Sequence, residues 1–183
     1  MQRQTDKRWH IPASLPPEVD VELHDFQPYL RQILFNRNVR TTAEALEYLN
    51  CSSPLGDPFL LLDMDRTVER LWCAIDGGES VAIYGDYDVD GVTATAMMVE
   101  VLRTLGGNAE AYIPNRFDEG YGLNNEALDV LAERGFRVVL TVDCGIRSPR
   151  EAEHARELGI DLIISDHHMP KDELPDALAV VCQ

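Results

Sequence analysis

Seven acidic or imidazole side chains stand in three short segments of this chain. Asp86, Asp88 and Asp90 lie in GDYDVDG, Asp143 lies in VDCG, and Asp166, His167 and His168 lie in SDHHMP. Each segment follows a short apolar run. If those runs are parallel strands of one open α/β sheet, their carboxyl ends share an edge, where such sheets bind ligands. Five carboxylates and two imidazoles would then face one pocket. That much negative charge repels itself unless a cation compensates it. Hard oxygen ligands mixed with imidazole suit Mn²⁺, Mg²⁺ or Zn²⁺. Neighbouring residues of extended backbone point to opposite sides. One of His167 and His168 can therefore ligate a metal while the other faces a different group, such as a phosphate. Asp166 can accept the second N–H of an imidazole and fix the ring.

Two other chemistries fit one segment each and fail on the rest. Asp86-x-Asp88-x-Asp90-Gly91 matches the start of a calcium loop. That loop needs Glu at its twelfth position, where this chain has Met97, and it follows a helix rather than a strand. A phosphatase with a nucleophilic Asp in a DxD motif needs a downstream Lys, and neither Lys7 nor Lys171 is well placed. Alone, Asp143 could be a solvated strand end, and each His a loop residue. Three such groups after three apolar runs argue for a shared site.

The elements that must position these groups are readable from periodicity. The runs 81–84, 109–113, 137–142 and 161–165 are short and apolar, and 177–181 is a fifth candidate. Helical patterns cover 64–75, 93–105, 126–134 and 149–158. Asn124 or Asn125 caps the third, and Ser148-Pro149-Arg150-Glu151 reads as a capping box with Pro at the first helical position. Alternating strands and helices imply βαβ units and a parallel sheet. Upstream, residues 1–24 read as an extended, Pro-rich lead-in. Helices are expected over about 26–35 and 42–49, with Thr41 or Thr42 as cap of the second. The expected division is a small helical N-terminal segment over 1–76 and an α/β domain over 77–183.

Composition bounds the function. The chain has 183 residues, 45% hydrophobic and 26% charged, with 16 Lys+Arg against 32 Asp+Glu and a net charge of −16. That is a globular composition. The charge opposes binding through a basic face to nucleic acid or to an anionic membrane. No apolar run approaches the roughly 20 residues that span a bilayer, and the first 22 residues lack the apolar core of a secretory signal. Cys51, Cys73, Cys144 and Cys182 form no CxxC. They read as reduced thiols, and the expected location is the cytoplasm.

Asp166-His167-His168 after a strand, with GDYDVDG and VDCG upstream, resembles the DHH phosphoesterase superfamily. Within it, WHIP at 9–12, DPFLL at 57–61, YGDYDVDGVTATA at 84–96, YIPNRFDEGYGLN at 112–124 and SDHHMP at 165–170 resemble the RecJ exonucleases. The likeness runs from about Trp9 to Val181. It implies a parallel-sheet DHH domain with helices on both faces. It also implies hydrolysis of single-stranded DNA from the 5′ end with two Mn²⁺ or Mg²⁺ ions. By that likeness Asp88, Asp90, Asp143 and His167 are metal ligands and Asp86 is a neighbouring carboxylate. His168 lies beside the scissile phosphate, with Asp166 as its catalytic partner. Two metals about 3.5–4 Å apart can activate water and stabilise a leaving oxygen. Arg116 is expected to bind a phosphate and Tyr121 to stack on a base. The plainer alternatives are a salt bridge from Arg116 to Asp118 or Glu119, and ordinary loop packing for Tyr121.

The resemblance also implies that relatives continue beyond LAVVCQ into a further metal-ligand aspartate and further domains. The expectation is weak or no nuclease activity, and weak DNA binding, for these 183 residues alone. Expected partners are single-stranded DNA and, by likeness, a single-strand binding protein or a helicase, with no membrane. The alternatives are another DHH phosphoesterase acting on short oligonucleotides or phosphate monoesters, and a non-catalytic interaction module on the same fold.

Overall fold

The computed structural model describes residues 10–51, 55–115, 122–171 and 173–182. Two compact units divide at Gly56 and Asp57. In the first, α1 (Pro17–Glu22), α2 (Pro28–Phe35) and α3 (Thr42–Asn50) enclose a small core of Val19, Leu23, Leu34, Val39 and Ala45. Helix α1 corrects the expectation of an extended lead-in. Pro17 sits at its first position, where the missing N–H costs nothing, and Glu18 and Asp20 favour its positive end. Thr41 caps α3 in a full capping box with Glu44.

In the second unit, a 3₁₀ turn (Pro58–Leu60) leads into α4 (Met64–Gly77). Then follow β1 (Ser80–Gly85), α5 (Val89–Thr104), β2 (Asn108–Tyr112), α6 (Asn125–Glu133), β3 (Val138–Val142), α7 (Pro149–Glu157), β4 (Asp161–Asp166) and β5 (Ala179–Cys182). The five strands form one sheet in the order β2-β1-β3-β4-β5, and every pairing is parallel. The expected boundary at 76/77 would place α4 with the N-terminal segment. Instead Leu71, Ala74 and Ile75 of α4 pack against the sheet, so this helix belongs to the second unit.

The strands are apolar on both faces because helices cover both. Val81, Ile83, Val138, Leu140, Ile163 and Ala179 face α4 and α5. Ala82, Tyr84, Val139, Leu162, Ile164 and Val180 face α6 and α7. Strand order reverses beside β1, between β2 on one side and β3 on the other. A ligand site is therefore expected at the carboxyl ends of β1 and β3.

Helix α5 starts four residues before its expected position. Asp88 is its N-cap, accepting from Gly91 N at 3.0 Å, and Asp90 lies in its first turn. Two glycines let this helix approach the end of β1. A Cβ on Gly91 would lie 2.4 Å from the Asp86 carbonyl oxygen, and one on Gly85 would lie 1.9 Å from Thr95 Oγ1. Asn124 caps α6 as expected. Ser148 does not cap α7. Its ψ is 58°, against 156° at Thr41 and Asn124, so its hydroxyl is turned away from the first-turn N–H groups.

Candidate metal centre

The carboxyl ends of β1, β3 and β4 carry the three segments to one edge, as the parallel pairing requires. At the end of β3 the chain turns sharply. Asp143 has φ 62°, a left-handed conformation rare for a residue with a side chain. Its N–H donates to Ser165 O at 3.0 Å, and Thr141 Oγ1 donates to Cys144 O at 2.8 Å, so the turn is held from both sides. The turn buries the Asp143 carboxylate, whose side chain is 7% exposed. His167 Nε2 lies 3.0 Å from Asp143 Oδ1 and His168 Nδ1 lies 3.9 Å from it. Asp143, His167 and His168 each offer a ligand atom, and these atoms lie within 4.8 Å of one another.

Asp166 has a different environment. Its Oδ1 accepts from His167 N at 2.8 Å, His168 N at 3.1 Å and His168 Nδ1 at 2.7 Å. Its Oδ2 accepts from Ile146 N at 3.0 Å. Burial alone would push this carboxyl up. The N–H groups of His168, Ile146 and His167 outweigh burial and hold it below the usual carboxylate range. The contact with Asp166 raises the His168 imidazole above its ordinary value. Asp166 is thus the anchor that shapes the turn and aims the His168 ring.

Asp143 shifts the other way. Burial, and then the nearby Asp88 carboxylate, push it above the usual range, only partly offset by the two imidazoles. Among the described residues, its Oδ1 has no hydrogen bond despite the close His167 nitrogen, and the buried Oδ2 of Asp86 has none either. Asp86 is 1% exposed, and its Oδ1 accepts from Tyr87 N at 2.7 Å. Buried carboxylate oxygens without a donor are costly unless a cation satisfies them. With imidazole beside them, they fit a hard divalent cation.

The expected single pocket divides in two. Asp90, Asp143, Asp166 and His167 line a cavity of about 390 Å³ between α5 and the ends of β3, β4 and β5. Asp166 and His168 line a second cavity of about 300 Å³. Asp86 and Asp88 line neither. The two histidines therefore face different spaces, although their ring centroids are only 4.7 Å apart.

A model of the DHH family N-terminal domain matches residues 80–183. This chain belongs to the DHH family. The DHH triplet is Asp166-His167-His168, at the end of β4. The chain is 43% identical over 161 residues to the single-stranded-DNA-specific exonuclease RecJ of Bacillus subtilis (strain 168), covering 87% of this chain and 20% of that protein. It is 38% identical over 180 residues to the RecJ of Escherichia coli (strain K12), covering 98% and 29%. Among solved structures it resembles an exonuclease RecJ bound to manganese, with TM-score 0.64 and 36% identity over 70% of this chain and 33% of that one. It also resembles RecJ in complex with Mn²⁺ from Thermus thermophilus, with TM-score 0.67 and 30% identity over 93% and 24%. The chain spans less than a third of the length of these two curated relatives.

Arg116 and Tyr121 lie outside the described residues. The segment that follows them is tied to the sheet of this DHH domain by a side chain that sequence reasoning passed over. Tyr84 OH, fully buried, donates to Gly122 O at 2.9 Å and accepts from Asn124 Nδ2 at 3.1 Å. Arg147 was likewise unmarked, and its Nε donates to Met169 O at 2.8 Å, just past the triplet. A charged residue two positions before a proline-started helix gives no signal of this contact.

Proposed function

We propose that this DHH domain carries the metal-binding part of a phosphodiesterase site that hydrolyses single-stranded DNA from its 5′ end, as the RecJ names of its relatives suggest. The observation that supports the reading best is the buried Asp143 carboxylate, without a hydrogen bond to its Oδ1, facing His167 Nε2 at 3.0 Å. Asp88, Asp90, Asp143 and His167 would hold Mn²⁺ or Mg²⁺, with Asp86 beside them. Two bound ions would supply Lewis acidity and compensate charge at the reacting phosphate. The chain's own residues do the rest. Asp166 fixes the His168 ring through Nδ1, which leaves Nε2 as the nitrogen available to a phosphate oxygen. Asp88 caps α5 and so holds its own carboxylate and that of Asp90 at the helix's positive end.

Catalysis on a strand requires a groove to hold it, and the net charge of −16 gives these 183 residues little means to do so. We therefore propose weak or no mononucleotide release by this chain alone. A single-strand binding protein or a helicase that presents a free strand is the proposed class of protein partner. The cysteines, all free, fit action in the cytoplasm. The test has two parts. Calorimetric titration with Mn²⁺ should show binding that Asp143→Asn weakens at least about tenfold, the loss expected for a direct charged ligand. Incubation with 5′-labelled single-stranded DNA and Mn²⁺ should release little mononucleotide. Absence of Mn²⁺ binding would refute the metal site, and rapid release would refute the proposed weakness.

A further inference from the structure

Helices α4 and α5 lie on one face of the sheet, opposite α6 and α7. Helix α4 begins at β5, where Asp63 accepts from Val180 N at 3.0 Å. It ends beside Gly107, ahead of β2, where a Cβ would lie 2.9 Å from Ile75 Cγ1. It thus crosses the sheet obliquely and leaves a shallow groove against α5. Both helices line this groove at positions i, i+3, i+4 and i+7, counted from Val68 on α4 and from Met98 on α5. The enclosed volume is about 130 Å³, below the range of small-molecule pockets and suited to single side chains. Mutual packing of the helices does not cover their apolar stripes. Trp72, Val101 and Leu105 remain 46%, 43% and 47% exposed, three large apolar side chains on one surface.

The charge beside this surface has one sign. At 100° per residue, Asp65, Asp76 and Glu69 stand about 20°, 40° and 60° beyond Trp72, on the side away from the rest of the α4 stripe. All three are exposed. The arginines of the two helices are engaged within the domain: Arg66 with Asp63, Arg70 with Glu79 and Asp161, and Arg103 with Ala109 O. A second copy of this chain would bring the same acids to the groove and no free cation. Nucleic acid and anionic lipid are repelled by it. The complementary occupant has an apolar stripe flanked by positive charge, and a groove between two helices takes such a stripe from a third.

We propose that the groove between α4 and α5 is a docking surface for a cationic amphipathic helix of a partner protein. The apolar stripe of that helix covers Trp72, Val101 and Leu105, and its flanking Lys and Arg meet Asp65, Glu69 and Asp76. The inference goes beyond the phosphodiesterase reading and does not rest on it. Trp72 and Leu105 line the groove and not the metal-facing cavity.

The test uses the purified 183-residue chain and a labelled peptide of Leu and Lys about 18 residues long, with Leu repeating at i, i+3, i+4 and i+7. A peptide of the same composition in scrambled order carries the charge without the stripe. One with Glu in place of Lys carries the stripe with the opposite charge. Amide NMR shifts and fluorescence anisotropy are the readouts. The Leu/Lys helix should saturate at one per chain, shift the amides of residues 68–76 and 97–105, and bind at least about tenfold more tightly than either control. Trp72→Ala should weaken it at least about tenfold, and Leu105→Gln about fivefold. Asp65→Asn, Glu69→Gln and Asp76→Asn together should weaken binding and flatten its salt dependence. Glu133→Gln, Glu153→Gln and Glu157→Gln together, on the opposite face of the sheet, should change neither. The charge variants keep the inference falsifiable if either apolar substitution unfolds the domain. No saturable binding, equal binding of the scrambled peptide, shifts that map elsewhere, or equal effects of the two charge triples would each overturn it. Self-association of the chain that Trp72→Ala abolishes would also overturn it, because the occupant would then be a second copy.

Discussion

Replacing Asp166 with asparagine tests whether the first residue of the triplet is an anchor. The carboxylate accepts four N–H groups, three on Oδ1 and one on Oδ2, and the residue is 8% exposed. Asparagine keeps one acceptor oxygen. Placed at Oδ1, that oxygen leaves the side-chain NH₂ facing the Ile146 N–H, a buried donor without an acceptor, at a cost of about 1–3 kcal/mol. The three remaining bonds change from a charged to a neutral acceptor, a loss of up to about 1 kcal/mol each. Allowing for non-additivity within one network, the total is about 1–5 kcal/mol. A domain of this size is stable by about 5–15 kcal/mol, so the variant should still fold while its urea midpoint falls sharply at unchanged m-value.

The same anchor fixes the pH dependence. The folded carboxyl is held below its unfolded value. Its contribution is therefore complete above the unfolded pKa and is lost as pH falls through the lower folded one. The gap between the native chain and Asp166→Asn should be full at neutral pH and close under acid, below about pH 4. Urea unfolding across that range is the assay. A gap under about 1 kcal/mol at neutral pH, or one that does not change with pH, would refute the anchoring role.

Gly85→Ala should destabilise the domain by about 1–3 kcal/mol through overpacking against Thr95. Adding Thr95→Ala should recover part of that loss in thermal melts, because Thr95 Oγ1 is the closest atom at 1.9 Å and makes no hydrogen bond. Tyr84→Phe removes the hydroxyl from Gly122 O and Asn124 Nδ2 and should cost about 1–2 kcal/mol in urea unfolding, with faster amide exchange at Leu123 and Asn124. Arg70→Ala should cost about 1–2 kcal/mol, diminishing in high salt. Arg70 joins α4 to Glu79 and Asp161 at the opposite end of the sheet, and both carboxylates are more than a third exposed.

Much of this architecture was legible in the sequence because both faces of the sheet are covered. Runs such as 138–142 are then apolar without interruption, and the alternation with helical periods fixes a parallel order. The edge that collects Asp86, Asp143 and Asp166 follows from that order. Finer roles were less legible, because one residue type serves two purposes. Asp88 has the spacing of a metal ligand and is also the cap of α5, which is why that helix begins earlier than its apolar period. Ser148-Pro149-Arg150-Glu151 has the spelling of a capping box, yet the backbone at Ser148 departs from the extended conformation a cap needs. Short sequence patterns do not encode ψ. The sequence offers Asp166 as a partner of His168, and the four N–H groups around it become visible only when the β3–α7 turn is folded against the triplet.

That division of labour changes what the excess acidity demands. Counted from sequence, five carboxylates meet at one edge, and the charge argument calls for a cation beside all of them. In the fold, three are compensated by the chain itself. Asp166 takes four N–H groups, Asp88 caps α5, and Asp90 sits in the first turn, at the positive end of the helix. Among the described residues, the buried oxygens left without a hydrogen bond are Asp86 Oδ2 and Asp143 Oδ1, the second only partly offset by the imidazoles beside it. Asp143 also holds the left-handed backbone, a conformation that costs a residue with a side chain about 1–2 kcal/mol. A carboxylate that is buried, strained, raised in pKa and short of donors weakens the apo fold. The same features favour a divalent cation, whose binding would return the missing charge and satisfy the open oxygens. The open oxygens thus stand at the ends of β1 and β3, beside the point where the strand order reverses.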